Sequence, residues 1–70
     1  MAKFELTKTV EAVKLHKRTL APLSEPPVSI PFGAIIENLQ NDRTYEKFYY
    51  LGEPYQSLST EIKPALKPLG

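Results

Sequence analysis

The stretch Val28–Tyr55, VSIPFGAIIENLQNDRTYEKFYYLGEPY, decides the fold. It holds the densest apolar runs, all four tyrosines (Tyr45, Tyr49, Tyr50, Tyr55) and two of the three glycines, Gly33 and Gly52. Val28, Ile30 and Phe32 alternate up to Gly33, the two-residue period of a half-buried strand. Ala34–Leu39 is an apolar, partly β-branched run broken at Asn38. Gln40-Asn41-Asp42-Arg43 follows with turn chemistry, because Asn and Asp side chains imitate turn backbone. Tyr45–Leu51 then reads as a returning strand, which predicts a hairpin with a connection of about four or five residues. Leu51-Gly52-Glu53-Pro54 predicts the next turn, and Tyr55–Leu58 a short strand. Two or three adjacent strands are expected here.

Toward the N-terminus, Phe4–Ala21 has a broken two-fold pattern. Phe4, Leu6, Val10 and Ala12 occupy even positions, and Val13, Leu15 and Ala21 odd ones, a phase change that a β-bulge or sharp bend would produce. A helix would strand Phe4, Ala12 and Leu15 off its apolar face and would have to absorb Thr7, Thr9 and Thr19, so strand is preferred. Pro22, Pro26, Pro27 and Pro31 exclude helix and central strand from residues 22–31, which read as a long loop stiffened by proline. Toward the C-terminus, Ser59-Thr60-Glu61 before Ile62 resembles a helix cap. Pro64 limits that helix to about one turn, near residues 61–66, and Lys67-Pro68-Leu69 closes the chain as an edge segment.

At 70 residues the chain holds one domain, residues 1–70, with a thin core, since a chain this short buries only about 60% of its unfolded surface. It has no cysteine, which excludes disulfides, thiolate metal sites and cysteine nucleophiles. The start MAKFELTK is too polar for a secretory leader, and no apolar run approaches the roughly 20 residues that cross a bilayer, so a cytoplasmic protein without a membrane segment is expected. Net charge is +1, which supplies no global pull toward nucleic acid or anionic lipid. Basic residues nevertheless gather early (Lys3, Lys8, Lys14, Lys17, Arg18) and acidic ones later (Glu25, Glu37, Asp42, Glu46, Glu53, Glu61).

The order of parts resembles a Src-homology-3-like small barrel. The resemblance rests on V-x-I-x-x-G-x-I-I at Val28, Ile30, Gly33, Ile35 and Ile36, on the double aromatic Tyr49-Tyr50, and on Pro64-Ala65-Leu66 where that family has a single helical turn before its last strand. It covers most of residues 10–69 and implies an all-β, five-stranded barrel or strongly bent antiparallel sheet, with Pro22–Pro31 standing in for the family's first long loop. The family's proline-binding groove needs an aromatic motif ending the first strand, acidic residues in the first loop and a tyrosine in the helical turn. Here those places hold AVKLHKR, Glu25 alone and no tyrosine after Pro64.

Three groups of residues could carry a function. On alternating strands Tyr45, Tyr49 and Tyr55 fall on one face, with Phe48 and Tyr50 on the other. A barrel this small buries one face, so a tyrosine set stays partly exposed, and exposed tyrosines give large contact area at low entropy cost. Beside the proline loop, with Pro26 and Pro27, they make a candidate site for a protein or peptide partner. The alternative is that the rings pack inward with their hydroxyls at the rim.

Lys14, His16 and Arg18 would share a strand face and could touch phosphate, giving weak, salt-sensitive nucleic-acid binding that the near-neutral charge disfavours. A homo-oligomer that buries its own tyrosine face is a third reading, and oligomeric state is open. His16 has no partner at catalytic or metal-ligand spacing, the carboxylates show no acid/base pairing, and three glycines form no phosphate loop. A non-catalytic protein with no cofactor and no metal is therefore expected.

Overall fold

The computed structural model describes residues 3–69. Seven strands, β1 (Lys3–Leu6), β2 (Val10–Lys14), β3 (Val28–Ile30), β4 (Ile35–Asp42), β5 (Tyr45–Tyr50), β6 (Glu53–Leu58) and β7 (Leu66–Pro68), pair antiparallel in the order β3-β2-β6-β5-β4-β1-β7. The sheet is strongly curled into a half-barrel, so the all-β class expected from the sequence holds. The expected count of five strands does not. The N-terminal segment divides at Thr7-Lys8-Thr9, and its halves take different neighbours: β1 pairs with β4 and β7, β2 with β6 and β3.

The inner face carries the core. Leu6, Val10, Ala12, Ile30, Ala34, Ile36 and Phe48 pack there, with Phe4, Leu39, Tyr50, Tyr55 and Leu66 partly buried around them. One end is closed by α1 (Ser59–Ile62) and a 3-10 turn (Lys63–Ala65), which place the fully buried Ile62 and Ala65 under the sheet. The helical segment thus begins two residues before the expected 61–66, with Leu58 as its extended N-cap, and Ser59 forms no side-chain cap. The Thr7 N–H donates to the Ala65 carbonyl at 2.7 Å, pinning the β1–β2 turn to that plug.

Two local devices shape the central meander. β4 and β5 are joined by Arg43-Thr44 alone, so the hairpin connection is two residues rather than four or five, and Gln40, Asn41 and Asp42 belong to the strand. The pairing shifts register between Glu37 and Gln40, where Asn38 adopts φ 55°; this bulge lets Ile36 and Leu39, an odd distance apart, both reach the core. Pro54 is buried within β6, a strand with neighbours on both sides. Its carbonyl accepts from the Leu15 N–H at 2.9 Å, one position beyond the Lys14↔Tyr55 pair, and its nitrogen can return no bond to Leu15, so the β2–β6 ladder ends there with a single bond in place of two.

Leu51-Gly52 joins β5 to β6 with φ 52° and 79°, the doubly left-handed turn that matches strand twist in two-residue hairpins. Gly52 suits that backbone; Leu51 does not, and its side chain is 82% exposed. Leu51→Asn is therefore expected to stabilise the fold by about 1 kcal/mol, read as a melting temperature higher by about 4–8 °C in circular dichroism. An unchanged or lower midpoint would show that Leu51 makes a stabilising contact.

Candidate functional site

Two-residue turns settle which side chains share a face. Residues in β5 and β6 pair as Tyr45↔Leu58, Lys47↔Gln56, Phe48↔Tyr55, Tyr49↔Pro54 and Tyr50↔Glu53, so an odd residue of β5 lies beside an even residue of β6. Tyr45, Lys47, Tyr49, Pro54, Gln56 and Leu58 share the outer face, while Phe48, Tyr50 and Tyr55 share the inner one. Tyr55 is thereby separated from Tyr45 and Tyr49. Its ring stacks on Phe48, centroids 6.3 Å apart and planes at 22°, and lies tilted against Tyr50. The alternation expected from the sequence, counted straight through a tight turn, places Tyr55 on the wrong side, because a two-residue turn reverses parity between the strands.

Tyr45 and Tyr49 do not share a site either. Tyr49 sits between two depressions, one formed with Leu15, Leu20 and Pro54, the other with Ile35, Leu51 and Gly52. Lys47 stands between the two rings, donating to the Leu20 carbonyl at 3.3 Å and paired with Asp42 at 3.1 Å. The loop after β2 is folded onto this outer surface: His16 N–H donates to the Ala21 carbonyl, Leu23 N–H to that of Lys14, and Leu15 bridges Pro22. This explains the phase change in the sequence. Val10 and Ala12 are buried in the inner core, whereas Leu15 is buried outside it, beneath the loop that carries Leu20.

The proposed basic stripe is not a stripe. β2 ends at Lys14, which pairs with Tyr55, and His16 and Arg18 lie in the exposed turn beyond, where the Arg18 N–H donates to His16 Nδ1 at 3.2 Å. The three side chains therefore lack the common strand face that alternation required. Nearby Lys17 pairs with Glu53 at 3.2 Å.

The structure does bring Tyr45 and Pro27 together. β2 pairs with β3 through Val10, Glu11 and Ala12, then with β6 only through Val13 and Lys14. Between its first half and the end of β6 the ladder is open, bridged by a hydrogen bond of 2.7 Å from Ser57 Oγ to the Glu11 carbonyl. At this seam lies a groove of about 250 Å³ with Val13, Pro27, Tyr45 and Leu58 as apolar lining, Gln56 beside them, and Glu11 and Glu61 at its margin. Tyr45 is 38% exposed, and Leu58 is exposed as well. Pro26 is exposed outside the groove lining.

The sequence reading missed Glu11, Val13, Gln56, Leu58 and Glu61. The signal that would have found Leu58 is the two-residue turn at Leu51-Gly52, which fixes it opposite Tyr45. Among the described residues no group of three or more His, Asp or Glu side chains is placed to hold a metal ion, and no helix is long and apolar enough to cross a membrane.

Fold and groove together define a small curled all-β domain with an apolar, acid-margined groove on its outer surface. No protein-family profile, curated protein or solved structure matches this chain.

Proposed function

We propose that this chain is a non-catalytic protein-binding module or small accessory subunit, built as a Src-homology-3-like variation on the curled barrel. The observation that carries the reading is the groove in which Tyr45, Pro27, Val13 and Leu58 line one opening. Apolar and aromatic surface gathered in a concavity is where partner side chains dock, because a buried aromatic anchor contributes far more than scattered contacts. The single helical segment before the last strand and the long connection between β2 and β3 support the barrel assignment. Separation of Lys14 from His16 and Arg18 favours a protein over a nucleic-acid partner, since phosphate binding draws on several cations acting together.

Tyr45→Ala combined with Leu58→Ser should lower peptide affinity at least about tenfold in a protein that still melts cooperatively, because neither side chain belongs to the buried core, at 38% and 43% exposed. The measurement is an amide NMR titration with a mixed peptide pool. Peptide-induced shifts unaffected by the double substitution would place the binding surface elsewhere. A solution mass of a dimer that dissociates on the same substitution would instead make the groove a self-association surface.

A further inference from the structure

We propose that the groove takes an extended peptide segment carrying lysine or arginine, an assignment that rests on the protein-binding reading above. Gln56 is the first observation. It lies opposite Val13 in the β2–β6 ladder, is only 8% exposed and lines the groove. Its side-chain amide has no hydrogen-bond partner among the described residues, whose side-chain hydrogen bonds join other groups. Among the described residues the side-chain atom sealed from solvent without a partner is Glu53 Oε2, so the little surface Gln56 keeps includes its amide, which opens to the groove and can exchange water for a guest. A glutamine amide presents one carbonyl and one NH₂, the complement of the N–H and C=O of an extended peptide.

The charge of the groove is the second observation. Its charged groups are Glu11 and Glu61, both exposed, and neither takes part in an ion pair among the described residues. Glu11 and Glu61 also line a neighbouring depression together with Lys8, Thr9 and Thr60, so Lys8 is close to both carboxylates but forms no ion pair with them and lies outside the groove lining. Two carboxylates flanking Tyr45 and Pro27 suit a cationic side chain with an aliphatic stem: the stem lies along the apolar wall, the head reaches a carboxylate, and the tyrosine face attracts the cation. An anionic guest such as a nucleic-acid strand meets two like charges with no compensating cation in the lining.

The test is an amide NMR titration of the full chain with three synthetic peptide pools of equal apolar content, capped at both ends: one rich in lysine and arginine, one neutral, one rich in aspartate and glutamate. The basic pool should shift the amides of Glu11, Val13, Tyr45, Gln56 and Leu58. Glu11→Gln with Glu61→Gln should weaken that binding about tenfold and remove most of its salt dependence, with an unchanged melting curve. Gln56→Met, which keeps the volume without the amide, should weaken the basic pool in a protein that still melts cooperatively. Equal binding of the neutral or acidic pool at the groove, or full affinity in the Glu11→Gln/Glu61→Gln variant, would overturn the basic-peptide assignment and leave the protein-binding reading intact. Shifts at the groove with none of the pools would overturn both.

Discussion

Phe48→Ala is expected to leave the chain without a cooperative unfolding transition. Phe48 sits in β5, the middle strand of the sheet order, is 1% exposed and is the largest fully buried side chain. Truncating a buried phenylalanine to alanine costs about 3–5 kcal/mol, from lost transfer energy and the cavity left behind. A single core in a domain of this size rarely supplies more than about 3–5 kcal/mol in total. Nothing in the chain replaces that loss, since it has no disulfide and Tyr55 leans on the same ring. Far-UV circular dichroism with heat or urea should show a broad, non-cooperative change for Phe48→Ala. Phe48→Leu, which keeps most of the volume, should melt cooperatively at a lower temperature. A sharp transition in the alanine variant would mean that the plug residues Ile62 and Ala65, rather than Phe48, organise the core.

The sequence disclosed the parts of this fold that local patterning controls. Alternation in Tyr45–Leu51, a turn after it and the edge character of Lys67-Pro68 each follow from side chains within a few residues of one another, and each has its counterpart in the sheet, although the turn expected over Leu51–Pro54 narrows to Leu51-Gly52 and Glu53 and Pro54 already belong to β6. What stayed hidden depends on partners far along the chain. β3 is five residues from β4 in sequence yet occupies the opposite half of the sheet, beside β2. Thr7-Lys8-Thr9 contains neither glycine nor proline, so nothing local announces that the chain turns there.

The bulge at Asn38 and the two-residue turns change parity, and parity is what assigns a side chain to a face; one uncounted reversal put Tyr55 with Tyr45 instead of with Phe48. The groove was half legible for the same reason. Tyr45 and Pro27 stood out by composition, but Glu11, Gln56 and Glu61 become its neighbours only because β2 leaves β6 just beside the plug.

Glu46→Ala is the second substitution expected to act strongly, through hydrogen bonds rather than volume. Glu46 is 3% exposed on the inner face of β5, opposite Ser57. Its Oε2 accepts from Ser59 Oγ at 2.7 Å and from the Asn41 side-chain amide, whose nitrogen also donates to the Arg43 carbonyl at 3.3 Å. The Ser59 N–H donates to the Thr44 carbonyl at 2.8 Å. The β4–β5 turn and the first residue of α1 are thus held together by one carboxylate oxygen, one backbone bond and a long hydrogen bond of 3.4 Å from the Asn41 amide to Ser59 Oγ, and the Ser59 hydroxyl is engaged with Glu46 while α1 has no side-chain cap. Removing the acceptor leaves the Ser59 hydroxyl without its acceptor, while the exposed Asn41 amide keeps the Arg43 carbonyl and Ser59 Oγ. The loss costs about 1–3 kcal/mol, a fall of about 4–8 °C in melting temperature for each kcal/mol. Glu46→Gln can keep an oxygen at the same position and should lose much less. The two substitutions Glu46→Ala and Ser59→Ala should be clearly less than additive, because each removes the same bond. Hydrogen exchange should accelerate first at the amides of Ser59–Ala65, where the plug loses its tether. Full additivity, or exchange that quickens only in the sheet, would show that Glu46 acts within β5 alone and that Ile62 holds the helical turn by packing.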